Sequence, residues 1–147
     1  MTAKEYLSQG YRLEQRIKLA KMEIRELEEL IGFPGSPGFE EHFNPNRQSD
    51  APFVKTLMKI MKMQEKVNDE LSQLLELKKE LKHVINQVSD KDEQLVLSYR
   101  YIYSWSWSQI GDEMYADERT VRRWHNKALS HVVLPENPMV LEKKLLL

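Results

Sequence analysis

Several polar side chains near the carboxy-terminal end are of the types that read DNA bases. Four of them share one face of a helix with 3.6 residues per turn: Arg119, Arg122, Arg123 and Asn126. Arginine binds guanine and asparagine binds adenine with paired hydrogen bonds in the major groove. Residues 119–131 include four Lys or Arg residues and no acidic residue. We therefore predict base reading by this face, and phosphate contacts by Lys127 and His131.

A helix has to hold these side chains, and the sequence carries signals for it. We predict a helix over residues 118–133, with Asp117 as a cap that accepts a hydrogen bond from the amide of Thr120. A short helix capped by Ser104 or Ser106 is predicted just before it. A short helix, a turn and a second helix form a helix-turn-helix. The buried face of the second helix is predicted to comprise Val121, Trp124 or His125, Ala128 and Val132.

Two heptad patterns of apolar residues occupy the first part of the chain, over residues 6–31 and 53–88. A narrow apolar seam with alternating steps of three and four residues is typical of a coiled coil. We predict an all-α protein that begins with a long antiparallel helical hairpin over residues 1–89. Its flexible loop is predicted at residues 32–51, where glycines and prolines cluster. In the seam, Gly10 would let a partner helix approach closely.

The hairpin is predicted to serve in oligomerisation or partner binding. A two-helix seam leaves the apolar residues Leu75, Leu77 and Val84 on its flanks, which favours a homo-oligomer. The residues assigned to the oligomer seam are Ile17, Ile24, Leu27, Leu57, Leu71, Leu74 and Leu81.

The segment from Trp107 to Leu129 resembles region 4 of sigma-70 factors and related phage regulators. The residues that match this pattern are Ile110, Asp117, Val121 and Lys127-Ala128-Leu129. The chain as a whole resembles small prophage proteins of Gram-positive bacteria, and is similar to the ArpU-type phage late-gene transcription regulators. The resemblance implies a sigma-4-like helix-turn-helix over residues 90–134, followed by a tail over residues 135–147. It also implies a DNA-binding activator or repressor.

The resemblance also assigns base reading to individual positions, namely Glu118, Arg119, Arg122 and Arg123. Positions 111 and 115 depart from the family pattern, and Glu118 and Arg119 carry their charges in the opposite order from a housekeeping sigma factor. Gly111 stands where alanine is usual, and Tyr115 stands where a turn glycine is common. Tyr115 at this position predicts a less tight turn.

Charge is distributed unevenly along the 147 residues, although the formal net charge is only -1. Residues 1–89 carry 14 basic and 14 acidic side chains, residues 90–118 carry two and seven, and residues 119–147 carry six and two. The near-zero total argues against strong sequence-independent binding to nucleic acid. The polarised carboxy-terminal third instead favours local binding through one helix of each subunit.

The sequence offers no catalytic or metal-binding pattern. There is no cysteine, and the spacing of His42, His83, His125 and His131 does not match a zinc motif. We therefore expect no enzyme activity, no metal, no cofactor and no small-molecule substrate. No apolar stretch approaches the roughly 20 residues that span a bilayer, so we expect no membrane partner and a cytoplasmic location in a bacterial host cell.

Two functions follow as expectations. The first is a sequence-specific, DNA-binding transcription regulator of phage or prophage type that binds double-stranded DNA. The alternative is a non-enzymatic interaction module whose hairpin binds RNA polymerase or another phage protein.

Overall fold

The computed structural model of the chain describes residues 1–32 and 50–141, and every element in these ranges is helical. The prediction of an all-α protein is confirmed. The elements in chain order are α1 (Ala3–Leu30), α2 (Asp50–Asn86), α3 (Lys91–Leu97), a π-helical turn (Ser98–Ile102), α4 (Trp107–Met114) and α5 (Glu118–Ser130). Nearly all of the predicted loop at 32–51 lies outside the described residues, as do the last six residues of the predicted tail.

Short polar residues cap the first turns of two of these helices. The Thr2 hydroxyl accepts a hydrogen bond from the Glu5 amide at 3.1 Å at the start of α1. Asp90 accepts bonds from the amides of Asp92 and Glu93 at the start of α3. Such caps satisfy amides that have no partner within the helix. Beyond the end of α1, Gly32 adopts a φ of 67°, a left-handed conformation that glycine reaches without strain.

Residue contacts divide the chain into two compact units, Met1–Leu13 with Gln73–Leu147, and Glu14–Ser72. This division passes through both long helices, whereas the sequence predicted a boundary at residue 89. The reason is burial, because Tyr6 and Leu81, from the two long helices, are completely buried in the unit that contains α3, α4 and α5.

Within the first unit, α2 buries more of its apolar residues than a two-helix seam would bury. Leu77 and Val84, predicted as exposed flanks, are buried, and only Leu75 is exposed as predicted. Close approach of the helices contributes to this burial. A Cβ on Gly10 of α1 would lie 3.2 Å from Leu74 Cδ1 and 3.5 Å from Leu77 Cδ2.

Most residues of the predicted oligomer seam are buried within a single chain. Ile17, Ile24, Leu74 and Leu81 are buried in the protomer. Leu27, Leu57 and Leu71 are half-buried. A heptad pattern predicts which face of a helix is covered, but it contains no information on whether the covering helix belongs to the same chain.

Within the first unit, a carboxy-terminal segment is hydrogen-bonded to both long helices. The Gln9 side-chain amide donates to the Met139 carbonyl oxygen and accepts from the Leu141 amide, at 2.9 Å each. The Glu80 carboxylate accepts from the Met139 amide at 3.0 Å and from the Tyr6 hydroxyl at 2.7 Å. The described part of the predicted tail is therefore packed against the helices.

Candidate functional site

The basic helix α5 begins at a well-formed cap. The Asp117 carboxylate accepts a hydrogen bond from the Thr120 amide at 2.7 Å, as the sequence predicts. Hydrogen bonds from Thr120 hold the pKa of Asp117 below its ordinary value, and the nearby charge of Arg123 acts in the same direction. The cap therefore stays ionised at neutral pH.

The preceding helix α4 begins with a reciprocal capping box. The Ser106 hydroxyl accepts from the Gln109 amide at 3.1 Å, and the Gln109 side chain accepts from the Ser106 amide at 2.8 Å. The structure therefore selects Ser106 over Ser104 as the cap. Both amides would otherwise lack a partner in the helix.

The turn between α4 and α5 is tight, so the expectation of a less tight turn is wrong. Tyr115 adopts φ 55° and ψ 46°, the left-handed conformation that glycine favours. The Ala116 amide donates to the Gly111 carbonyl oxygen at 2.9 Å. A Cβ on Gly111 would lie 2.5 Å from the Ala116 carbonyl oxygen, so the absent side chain at residue 111 makes room for the turn.

One face of α5 is buried and holds the helix in place. Val121, His125 and Ala128 are buried, whereas Trp124 and Val132 are only partly buried. The helix ends at Ser130, three residues before the predicted end. Its last turn tightens there, because the His131 amide donates to the Ala128 carbonyl oxygen at 3.0 Å.

The opposite face of α5 presents the predicted base-reading residues together. Arg119, Arg122, Arg123 and Asn126 are exposed and, with Thr120, line an open depression of about 440 Å³. Glu118 is also exposed, and its carboxylate lies 3.9 Å from Arg122 Nη2. An exposed pair of this kind is weak and can exchange partners at low cost. Thr120 was not predicted to be part of this face, although its helical position adjoins that of Arg123.

The two residues predicted to contact phosphate differ in their surroundings. Lys127 is exposed on α5. His131 Nδ1 instead lies 2.7 Å from the buried Glu93 carboxylate of α3. No sequence pattern connects residues 93 and 131, so the contact was not foreseen.

Aromatic rings and an arginine form a packed cluster next to α5. The Arg100 guanidinium lies 4.1 Å from the centre of the Trp107 ring, and Arg122 lies 5.9 Å from it. The same indole packs against His125 in a T-shaped arrangement with 4.7 Å between ring centres. Trp107 therefore contacts residues on both the buried and the exposed side of α5.

His125 is held in its neutral form. Burial, followed by the positive charges of Arg100 and Lys4, lowers its pKa to about 4. Its Nε2 lies 2.5 Å from the Tyr101 hydroxyl of the π-helical turn. This bond joins α5 to that turn.

Residues 1–32 and 50–141 contain no group of three or more His, Asp or Glu side chains placed to hold a metal ion. None of the helices described is both long and apolar enough to cross a membrane.

These features define an all-helical protein in which a short capped helix, a tight turn and a basic helix follow one another. The family described as "protein of unknown function (DUF1492)" matches residues 46–132, which is more than half of the chain. The chain belongs to this family. No curated protein and no solved structure matches it. The matched region includes α2 to α5, and with them the whole basic face.

Proposed function

We propose that this protein is a sequence-specific DNA-binding transcription regulator of phage or prophage type. In this proposal α4, the turn and α5 form a helix-turn-helix, and α5 enters the major groove of double-stranded DNA. The observation that carries the proposal is the two-sided character of α5. Its apolar face is buried, while its arginines and Asn126 share one exposed depression.

Each exposed side chain has a specific role in the proposal. Arg119, Arg122 and Arg123 bind guanine edges, and Asn126 binds an adenine edge. Glu118 accepts a hydrogen bond from the amino group of cytosine. Alternatively, its ion pair with Arg122 opens, so that Arg122 can contact a base. Lys127 contacts phosphate.

The length of the reading face limits how much sequence one subunit recognises. Residues 119 to 126 span about 10 Å at a rise of 1.5 Å per residue. Base pairs are stacked about 3.4 Å apart, so one helix covers about three of them. Recognition of a site within a genome therefore needs more than one subunit, which agrees with the expected homo-oligomer.

Fluorescence anisotropy on duplexes selected from the source genome tests the proposal. Replacing Arg122→Ala and Arg123→Ala together should weaken specific binding, since each base-contacting arginine contributes about 1–3 kcal/mol of discrimination. The matched control is Lys59→Ala with Lys62→Ala, which removes the same charge from exposed positions on α2. Unchanged affinity of the arginine variant for its selected site would refute the base-reading assignment.

A salt titration adds a second criterion. The logarithm of the binding constant should fall linearly with the logarithm of the salt concentration, because phosphate contacts release counterions. Lys127→Ala should lower the steepness of this dependence by about one and weaken binding to all duplexes similarly. Absence of duplex binding at low salt would refute DNA binding altogether.

A second candidate function is an interaction module, and one surface of α2 favours it. Val54, Met58 and Met61 are exposed at helical spacing. Four exposed lysines border this stripe at the same spacing: Lys55, Lys59, Lys62 and Lys66. Apolar residues beside lysines suit an acidic amphipathic helix, and RNA polymerase or another phage protein would be its source. Here the double lysine variant should weaken partner binding and the arginine variant should not.

A further inference from the structure

A cavity of about 660 Å³, partly open to solvent, lies within the first unit, apart from the basic face of α5. Its walls include Glu5, Tyr11 and Arg12 of α1, and Arg100, Tyr101 and Ser104 in and after the π-helical turn. Small-molecule sites in proteins typically have volumes of about 300–1,000 Å³. The cavity is therefore of a size that suits a small ligand.

The backbone that forms one wall of this cavity is irregular. The Tyr103 amide donates to the Ser98 carbonyl oxygen at 3.2 Å, five residues back, which is the π-helical pattern. Ser104 has a φ of 59°, an unfavourable value for a residue with a side chain. Single π-helical turns and positive φ values concentrate at functional sites.

The lining side chains favour an anion with a flat ring. Tyr11 is more than half exposed, which leaves it available for stacking. Arg12 and Arg100 line the walls together with Glu5, and Arg100 is a basic group that suits an anion.

Arg100 is held in a fixed orientation before any ligand arrives. Its Nη1 donates to the Trp105 carbonyl oxygen at 2.9 Å, and its guanidinium lies over Trp107. A preorganised charge loses little conformational freedom on binding, so more of its interaction energy appears as affinity.

We propose that this cavity binds a small planar aromatic anion, with Tyr11 stacking on its ring and Arg100 facing its anionic group. A nucleoside monophosphate and an aromatic carboxylate share this chemistry. The proposed role of the ligand is regulatory, because Tyr101 lines the cavity and its hydroxyl is hydrogen-bonded to His125 of α5. This regulatory step rests on the proposed DNA binding, whereas the binding site itself does not.

Isothermal titration calorimetry of the full chain tests the site with adenosine monophosphate and with salicylate. We expect at least one probe to bind with a dissociation constant below about 1 mM, and a neutral analogue, adenosine or benzyl alcohol, to bind about tenfold more weakly or not at all. Tyr11→Ala should weaken binding about five- to a hundredfold, the range found for ring stacking. Tyr103→Ala is the matched control, because Tyr103 is as exposed as Tyr11 and does not line the cavity.

Each outcome decides a stated part of the proposal. If neither probe binds, or if Tyr11→Ala binds the probe as tightly as the unaltered chain, the site is refuted. If the probe binds as expected and changes the affinity for the selected duplex about fivefold or more, regulation is supported. Unchanged duplex affinity at saturating probe refutes the regulation alone. If no duplex binds, the DNA proposal fails and the calorimetric result still decides the site.

Discussion

The carbonyl oxygen of Ala116 occupies the space beside Gly111 in which a side chain would have to stand. The distance from an ideal Cβ on residue 111 to that oxygen is 2.5 Å, and the oxygen belongs to rigid backbone. The turn that leads into α5 therefore depends on the absence of a side chain at this position.

We expect Gly111→Ala to lower the free energy of unfolding by about 1–3 kcal/mol. The overlap with backbone costs more than the roughly 1 kcal/mol of helix propensity that alanine contributes. Urea unfolding monitored by circular dichroism measures the difference. Gly10→Ala is the control, since its Cβ would meet the movable side chain of Leu74 at 3.2 Å and should change stability by less than about 1 kcal/mol. Equal effects at the two glycines would contradict the argument.

The Asp117 cap should stabilise the protein only while it is ionised. Its pKa is lowered in the folded state, so its contribution is present above the unfolded value of 3.8 and is lost as the pH falls through the folded value. Asp117→Ala should therefore melt at a lower temperature than the unaltered chain at pH 7, and this difference should shrink below about pH 4. Asp117→Asn keeps an acceptor without a titrating group. A difference between Asp117→Ala and the unaltered chain that persists unchanged at pH 2 would rule out the ionised cap.

Buried His125 predicts a second, separate pH dependence. Its pKa is about 4 in the folded chain and 6.5 ordinarily, so between these values the unfolded chain binds the proton more tightly. Stability should fall as the pH decreases from about 6.5 to about 4, by an amount on the order of 3 kcal/mol. In urea unfolding across this range, His125→Gln should show a smaller loss, because glutamine does not titrate. A loss of the same size in both proteins would assign the effect to other groups.

The Gln9 side chain should control how firmly the carboxy-terminal segment is held. Gln9→Leu removes a donor and an acceptor, and leaves the Met139 carbonyl and the Leu141 amide without their partner. We expect a loss of about 1–3 kcal/mol and faster proteolysis after residue 134. Gln15→Leu, at an exposed position on α1, is the control. Equal proteolysis of the two variants would show that Gln9 does not hold the segment.

Much of the candidate site could be predicted because its causes are local. Asp117 caps α5 through a residue three positions away, and Ser106 and Gln109 do the same for α4. The alternation of buried Val121 and Ala128 with exposed Arg122 and Arg123 follows directly from the helical period. Caps and periodicity act over one or two turns, so the residue order alone contains them.

Other relationships arise only when distant parts of the chain meet. His131 contacts Glu93 across 38 positions, and Gln9 contacts Met139 across 130. The heptad seam was predicted from the residue order, but its enclosure within one chain was decided by packing in which Leu81 is completely buried. Sequence by itself therefore determined the helices, their caps and the basic face. Tertiary structure decided which surfaces remain exposed, because burial depends on the elements that cover a helix as well as on the helix itself.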